Sequence, residues 1–237
     1  MILCYHAASS SWRHDLSVPP GDIEREIRAL LRLRFTPVSA RRAASSRAGR
    51  TLALTFDDAY RSVANVMPAL ARLRVPVTIF ACTHFADAAA PLAVPELSGQ
   101  PEQELLTMGW DELREHAARG VEIGSHTVSH PHLPQLTDAE IERELRESRE
   151  RIEAELGRSC ALLAYPYGEE DARCRAAAKA AGYDAAFTLP RIGAPEDASD
   201  PYGLPRVGIF RGDGALGTLL KSSSTVRRVA GAVRRLR

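Results

Sequence analysis

The sequence predicts an α/β fold in which helices cover a parallel β-sheet that is either open or closed into a barrel. Two observations support this fold class. Short apolar segments alternate along the chain with longer segments whose apolar residues recur every three or four positions, as strands and helices do. The length of 237 residues is large for one compact domain but falls within the range of a single barrel.

The predicted strands are short runs in which most residues are apolar. They are residues 2–5, 51–56, 75–81, 121–123, 161–164, 184–188 and 206–210. The run at 51–56 places Leu52, Leu54 and Phe56 on one face, as expected for a strand whose side chains alternate between two faces. The run at 75–81 has the composition of a buried strand.

The predicted helices carry apolar residues at helical spacing. They are residues 22–33, 63–73, 110–118, 137–156 and 170–181. The fourth has the clearest start, because Thr137 and Glu140 match a capping box, in which each side chain satisfies a free backbone amide of the first turn. Two segments rich in Pro, Ala and Gly, residues 86–107 and 190–204, are predicted loops that could shape a cleft.

Composition argues against several classes of partner. The formal net charge is +1, so no global field favours nucleic acid. The four cysteines form no metal-ribbon spacing and are expected to be free thiols in a reducing compartment. The N-terminal residues lack the basic start and the long apolar run of a secretory signal, and no stretch is apolar enough to span a membrane. A cytoplasmic location is therefore expected.

Two adjacent carboxylates, Asp57 and Asp58, end the strand predicted at residues 51–56. The ends of parallel strands form the usual active-site rim in α/β folds. Successive side chains point to opposite faces, so one carboxylate could bind a metal ion while the other lies beside it. The alternative is an ordinary turn, in which aspartate is common because it bonds its own backbone.

Two histidines, His126 and His130, follow the strand predicted at residues 121–123. A spacing of four residues places both imidazoles on one face of a helical turn, which is a metal-ligand spacing. Imidazole with carboxylate suits Zn²⁺, Fe²⁺, Co²⁺ or Ni²⁺. Asp58 with the two histidines would supply the three protein ligands that a catalytic metal site needs.

A third segment, Ala164-Tyr-Pro-Tyr-Gly168, follows the strand predicted at residues 161–164. Pro166 and Gly168 require a tight backbone path. Such a turn can direct a backbone amide at a developing oxyanion, although an ordinary β-turn has the same composition.

These three segments, in this order, resemble the first three motifs of the polysaccharide deacetylase family, also called the NodB-homology group or carbohydrate esterase family 4. The resemblance covers roughly residues 1 to 210. It implies a distorted (β/α) barrel that holds one divalent metal ion, usually zinc. It also implies that Asp58, His126 and His130 bind the metal, that Asp57 is the general base, and that the Tyr167 amide donates to the oxyanion.

The sequence departs from the family pattern on the acid side of the site. The third motif often begins with an arginine that orients the base, but here it begins with Ala164, and no histidine follows His132. The start of the chain resembles a subgroup, the poly-N-acetylglucosamine deacetylases, whose motifs look circularly permuted. By this resemblance His6 would be the general acid. Arg206 could supply the missing guanidinium near Asp57; a structural His6 and a surface Arg206 are the alternatives.

The C-terminal residues 215–237 are predicted to form a basic amphipathic helix after a catalytic domain at residues 1–214. Apolar residues lie three or four positions apart with arginines between them: Val226, Val229, Val233 and Leu236. Such a helix could lie on an anionic membrane as a peripheral contact. The alternative is a helix that packs on the barrel with a solvated basic face.

The resemblance implies a metal-dependent hydrolase that removes an N-acetyl group from an amino sugar. The sugar could belong to a glycan, a lipid- or nucleotide-linked sugar, or a small glycosylated metabolite. A deformylase or another amidase would use the same site. A non-catalytic carbohydrate-binding relic of the fold is a further alternative, which is supported by the loss of the usual arginine and late histidine. A metal phosphohydrolase is disfavoured because the three motifs lack the extra carboxylates that would hold a second metal.

Overall fold

The computed structural model describes residues 1–45, 49–189 and 199–222 of the chain. Its strands are β1 (Ile2–Tyr5), β2 (Thr36–Pro37), β3 (Thr51–Phe56), β4 (Val77–Ala81), β5 (Glu122–Ser125), β6 (Leu162–Ala164), β7 (Ala185–Thr188), β8 (Leu204–Pro205) and β9 (Val207–Gly208). Its helices are α1 (Pro20–Arg32), α2 (Ala40–Ser45), α3 (Met67–Arg72), α4 (Thr83–Ala88), α5 (Glu102–Leu105), α6 (Trp110–Ala118), α7 (Asp138–Leu156), α8 (Ala172–Ala180) and α9 (Gly214–Ser222).

All pairings between these strands are parallel. The strand order is β8-β7-β6-β5-β4-β3-β1-β9, and β2 pairs with β3 beside this path. The two ends of this order are joined by the chain itself, because β8 pairs with β7, β9 pairs with β1, and only Arg206 separates β8 from β9. The sheet is therefore nearly closed into a barrel, which confirms the expected distorted (β/α) barrel.

Every residue of β1, β4 and β7 is buried. Strands of this kind have one face inside the barrel and the other under a layer of helices, so both faces must be apolar. The largest helix, α7, contacts β5, α6 and α8. It begins as predicted: the Thr137 hydroxyl accepts a hydrogen bond from the Glu140 amide, and the Glu140 carboxylate accepts one from the Thr137 amide.

The alternation of strands and helices predicted from the sequence is confirmed, with corrections to individual elements. The helix predicted at residues 63–73 is divided into a 3-10 segment, Arg61–Asn65, and α3, because Pro68 lacks an amide and favours the start of a new helix. The strand predicted at residues 206–210 is shorter, because the chain changes its pairing partner from β7 to β1 at Arg206.

The predicted loop at residues 86–107 contains regular structure. It includes the end of α4, a 3-10 segment at Pro95–Leu97 and α5. Elements this short carry too few apolar repeats to be recognised from periodicity. In the other predicted loop, residues 190–198 lie outside the described part of the chain.

The predicted C-terminal helix, residues 215–237, overlaps α9, which starts at Gly214 and contacts α1. Residues 223–237 lie outside the described part, so most of that prediction is not tested. Leu216 and Leu220, one turn apart on α9, are exposed. Within residues 1–45, 49–189 and 199–222, no helix combines the length and the apolar character that a membrane crossing requires.

Candidate active site

The residues singled out from the sequence lie at the same end of the barrel. His6 follows β1, Asp57 and Asp58 follow β3, His126 follows β5, and Tyr167 lies shortly after β6. Because all these strands run parallel, their carboxyl ends meet at one rim. A cavity of about 420 Å³ at this rim is lined by all five of these residues and by His130.

Three side chains form a compact buried group at the floor of the cavity. The Asp58 Oδ1 atom lies 3.4 Å from His126 Nε2 and 3.3 Å from His130 Nε2. The backbone directs Asp58 away from Asp57, because Asp58 has a left-handed conformation with φ 65°. One donor atom from each of Asp58, His126 and His130 lies within 4.8 Å of the others, so the three can hold one metal ion.

The two histidines converge by a different route from the one predicted. They are not on a helical turn: His126 directly follows β5, and the next residues form an irregular loop. Thr127 (φ 71°) and His130 (φ 63°) both have left-handed backbone conformations, which reverse the chain and bring the second imidazole back to the first.

The donor atoms in this group fit a divalent cation. The His126 Nδ1 donates to the Ala164 carbonyl oxygen at 2.7 Å, so in the neutral ring Nε2 carries a lone pair that faces Asp58. Lone pairs that face each other at 3.4 Å repel unless a cation lies between them. Two ligands that each lie about 2.0–2.1 Å from a tetrahedral zinc ion are about 3.4 Å apart, which agrees with the observed spacing.

The electrostatics of the group also call for positive charge. Burial alone would raise the pKa of Asp58, but the adjacent imidazoles of His126 and His130 outweigh burial and hold that pKa well below its usual range. Burial would lower the pKa of His126, but Asp57 and Asp58 outweigh it and raise that pKa. Two buried carboxylates, Asp57 and Asp58, therefore lie beside these imidazoles, and their negative charge favours a bound cation.

Asp57 has a different partner, the guanidinium of Arg206. Arg206 Nη1 donates to Asp57 Oδ1 at 2.6 Å, and Nη2 donates to Oδ2 at 2.7 Å, which is a two-pronged ion pair. The Cys4 thiol adds a hydrogen bond to Oδ2 at 3.3 Å. Burial opposes ionisation, but Arg206 and His126 outweigh it and lower the pKa of Asp57 to about 2. Asp57 is thus anionic over the ordinary pH range.

Arg206 is buried, so the alternative of a surface arginine is wrong. Its guanidinium lies over the rings of Phe80 at 5.4 Å and Phe187 at 6.0 Å, and Nη1 also donates to the Thr55 hydroxyl at 3.2 Å. Arg206 therefore supplies the guanidinium beside Asp57 that Ala164, at the start of the third motif, cannot supply.

Glu144 of α7 holds the loop between the two histidines. Its Oε2 accepts hydrogen bonds from the Val128 amide at 2.8 Å and the Ser129 amide at 3.0 Å, and its Oε1 accepts one from the Ser129 hydroxyl at 2.7 Å. The Thr127 hydroxyl accepts a further bond from the His130 amide at 3.1 Å. Glu144 was not predicted, although it lies three positions after Ile141 on the buried face of α7, where a carboxylate needs polar partners.

The turn after β6 has a constrained backbone. Tyr167 has a left-handed conformation with φ 58° and ψ 2°. Gly168 follows with φ +67°, and a Cβ atom there would lie 2.4 Å from the backbone nitrogen of Leu189, so no other residue fits without a shift of the chain. The Thr188 hydroxyl donates to the Gly168 carbonyl oxygen. Tyr167 therefore lies at the rim beside His130, with ring centroids 4.6 Å apart.

His6 lies on the Asp57 side of the cavity. It is on the same face of the first strand as Cys4, and donor atoms of Cys4, His6 and Asp57 lie within 4.8 Å of one another. The buried His6 Nδ1 has no hydrogen-bond partner among the described residues. Burial lowers the pKa of His6, although the charges of Asp58 and Asp57 oppose this. His84, another histidine that follows a strand, lines a neighbouring cavity and does not line this one.

The chain is similar in sequence to known proteins. It matches the family model described as "Polysaccharide deacetylase" over residues 44–186, more than half of its length. It is 24% identical over 218 residues to YxkH of Bacillus subtilis (strain 168), named as a polysaccharide deacetylase, with 89% of this chain and 71% of that protein covered.

Two solved structures share the fold with a TM-score of 0.74. One, from Bacillus anthracis, is BA0330, named as a polysaccharide deacetylase; the identity is 22%, with 94% of this chain and 68% of that chain covered. The other is the Streptococcus pyogenes deacetylase PplD in complex with acetate; the identity is 19%, with 94% of this chain and 97% of that chain covered.

Replacing Arg206 by methionine should destabilise the protein strongly. The change leaves Asp57 buried without a counter-charge, and the free energy of unfolding should fall by about 3–5 kcal/mol. Urea titration of Arg206→Met, Asp57→Asn and the double variant measures this. The double variant should be more stable than Arg206→Met, because a neutral amide needs no guanidinium. Equal stability of these two variants would contradict the pairing.

Removing Glu144 should weaken metal binding without unfolding the protein. Glu144→Ala frees the loop that carries both histidines, and the dissociation constant for Zn²⁺ should rise by about 10- to 100-fold. Competition with a chromogenic chelator measures it. Glu150→Ala, an exposed position on the same helix, is the matched control and should bind like the wild type. Unchanged affinity in Glu144→Ala would show that the loop holds its shape without this carboxylate.

Proposed function

Because the chain belongs to the polysaccharide deacetylase family, we propose that it is a metal-dependent hydrolase that removes the N-acetyl group of an amino sugar. In this proposal Asp58, His126 and His130 hold one divalent ion, with Zn²⁺ first and Co²⁺, Ni²⁺ or Fe²⁺ as alternatives. The observation that carries the proposal is the division of two adjacent buried carboxylates between different partners, Asp58 with two imidazoles and Asp57 with a guanidinium.

A bound divalent ion would polarise the acetyl carbonyl and lower the pKa of a water molecule. Asp57 lies beside the ligand group, with Oδ2 4.0 Å from His126 Nε2, and takes the proton of the attacking water as general base. Asp57 can do so because Arg206 keeps it ionised and oriented. The new bond joins the water oxygen to the acetyl carbon.

The remaining roles belong to Tyr167 and His6. The Tyr167 amide donates to the oxyanion that forms on the acetyl oxygen. The carbon–nitrogen bond then breaks, and the protonated His6 ring gives its proton to the departing sugar nitrogen, since an amine is a poor leaving group without a proton. Burial lowers the pKa of His6, and the Asp58 and Asp57 carboxylates favour its protonated form against burial. The products are acetate and a free amino sugar. The position of His6 in the same cavity as Asp57 supports this assignment.

The non-catalytic alternative is weakened by the placement of Arg206. A relic of the fold was considered because the third motif lacks its arginine and no late histidine is present. A guanidinium nevertheless reaches Asp57 from the closing segment of the barrel, and an imidazole lies in the cavity on the same side. A deformylase or another amidase would use the same groups, so the acyl group is decided by experiment.

The substrate is proposed to be an N-acetylated sugar in a glycan, a lipid- or nucleotide-linked sugar, or a small glycosylated metabolite. A cytoplasmic location and a peripheral membrane contact through residues 215–237 are further proposals. Two observations support the membrane contact. Leu216 and Leu220, at the start of that segment, are exposed, and the rest of the segment is rich in arginine. Flotation with anionic vesicles, with and without residues 215–237, tests it; binding that does not depend on the segment contradicts it.

The activity itself is tested by acetate release from a panel of N-acetylated and N-formylated amino sugars. Protein treated with a chelator should release no acetate, and one equivalent of Zn²⁺ or Co²⁺ should restore the activity, because three protein ligands leave an open position for one catalytic ion. Metal content by mass spectrometry should follow activity. Release of acetate that is insensitive to metal removal would contradict the proposed site.

Two variants separate the base and the acid from the metal ligands. Asp57→Asn and His6→Ala should each retain one metal ion per chain and lower kcat by about 10²- to 10⁴-fold, because each removes one proton transfer. His14→Ala, at the rim of the same cavity, is the control and should keep most of the activity. Near wild-type turnover in Asp57→Asn would refute the base, and near wild-type turnover in His6→Ala would assign the acid elsewhere.

A further inference from the structure

The Tyr167 side chain is held by a cluster at the rim of the cavity. Its ring stacks on the His132 ring with centroids 3.9 Å apart and planes at 7°, and its hydroxyl donates to Glu96 Oε2 at 3.0 Å. His132 in turn lies 2.9 Å from Glu169 Oε2 through Nδ1 and 3.3 Å from Glu96 Oε1 through Nε2. We call Glu96, His132 and Glu169 the rim clamp.

The rim clamp joins three separate parts of the chain. Glu96 belongs to the 3-10 segment at Pro95–Leu97, His132 follows the loop with the two histidines, and Glu169 follows the turn after β6. None of these three side chains belongs to the groups proposed to bind the metal or transfer protons. Glu96 and His132 contact the Tyr167 side chain directly, and Glu169 contacts His132.

The backbone of Tyr167 needs such support. A left-handed conformation at φ 58° is uncommon for a residue with a large side chain, and it persists where the surroundings hold it. The direction of the Tyr167 amide depends on this conformation, because rotation about φ and ψ turns the peptide plane. A ring fixed by stacking and by a hydrogen bond restricts that rotation.

We propose that Glu96 and His132 are positioning residues, which act through the Tyr167 ring to keep the Tyr167 amide directed at the acetyl oxygen. This inference rests on the proposed deacetylase function and adds to it a contribution from the segment around Pro95–Leu97. The clamp stabilises the transition state more than the bound substrate, because the amide meets full negative charge only after the water has attacked. Its loss therefore lowers kcat and leaves KM nearly unchanged.

The test compares Glu96→Ala, Glu96→Gln and His132→Ala with Glu102→Ala, an exposed glutamate of the neighbouring α5. A fully lost oxyanion donor costs about 10²- to 10³-fold in kcat, so a displaced one should cost about tenfold. Glu96→Ala and His132→Ala should each show this loss, with KM within about twofold and metal content unchanged. Glu96→Gln still accepts the hydrogen bond from Tyr167 and should recover most of kcat, and Glu102→Ala should match the wild type.

A second measurement needs no turnover. Hydrogen–deuterium exchange of the metal-loaded protein should be faster for the peptide that contains residues 165–168 in Glu96→Ala and His132→Ala, and unchanged for a peptide from α7. Wild-type kcat and unchanged exchange in both variants would overturn the proposal. If the wild-type protein deacetylates nothing in the panel, the proposed function fails, and the exchange result still decides whether the clamp holds Tyr167.

Discussion

The ion pair between Asp57 and Arg206 connects the closure of the barrel to the chemistry of the site. Arg206 lies between β8 and β9, where the chain passes from the edge formed by β7 to the edge formed by β1. Its guanidinium reaches the end of β3 and binds both carboxylate oxygens of Asp57. Both partners are buried, so each needs the other, and the closed sheet and the oriented base depend on the same contact.

The adjacent carboxylates acquire different properties from their surroundings. Asp57 follows an extended strand and meets a guanidinium, whereas the left-handed backbone of Asp58 directs its carboxylate at two imidazoles. The first arrangement stabilises an anion without a metal ion, and the second supplies lone pairs that a cation must separate. A base and a ligand can therefore be adjacent in the sequence, because Arg206 lies next to β9 on one side of β3 in the strand order and the histidines follow β5 on the other.

The sequence was most informative where local patterns decide structure. Strand runs such as 51–56, the capping box at Thr137 and the order of the motifs depend on short-range periodicity or on residue type, and the fold they predicted is confirmed. The loop shape between His126 and His130 was predicted wrongly, because left-handed conformations at Thr127 and His130 leave no trace in their spacing. Glu144 and the rim clamp were missed, since their partners lie on other segments of the chain, 16 residues away for the Val128 amide and 36 residues away for the contact between His132 and Glu96.

The metal ion is proposed to bind Asp58, His126 and His130, and not Asp57. Anomalous X-ray scattering at the zinc edge, from crystals of the protein loaded with one equivalent of Zn²⁺, locates the ion. We expect one strong peak bonded to Asp58 and to both imidazoles, with Asp57 still paired to Arg206. A peak bonded to Cys4, His6 and Asp57, the other group of donor atoms close enough to bind an ion among residues 1–45, 49–189 and 199–222, would contradict it.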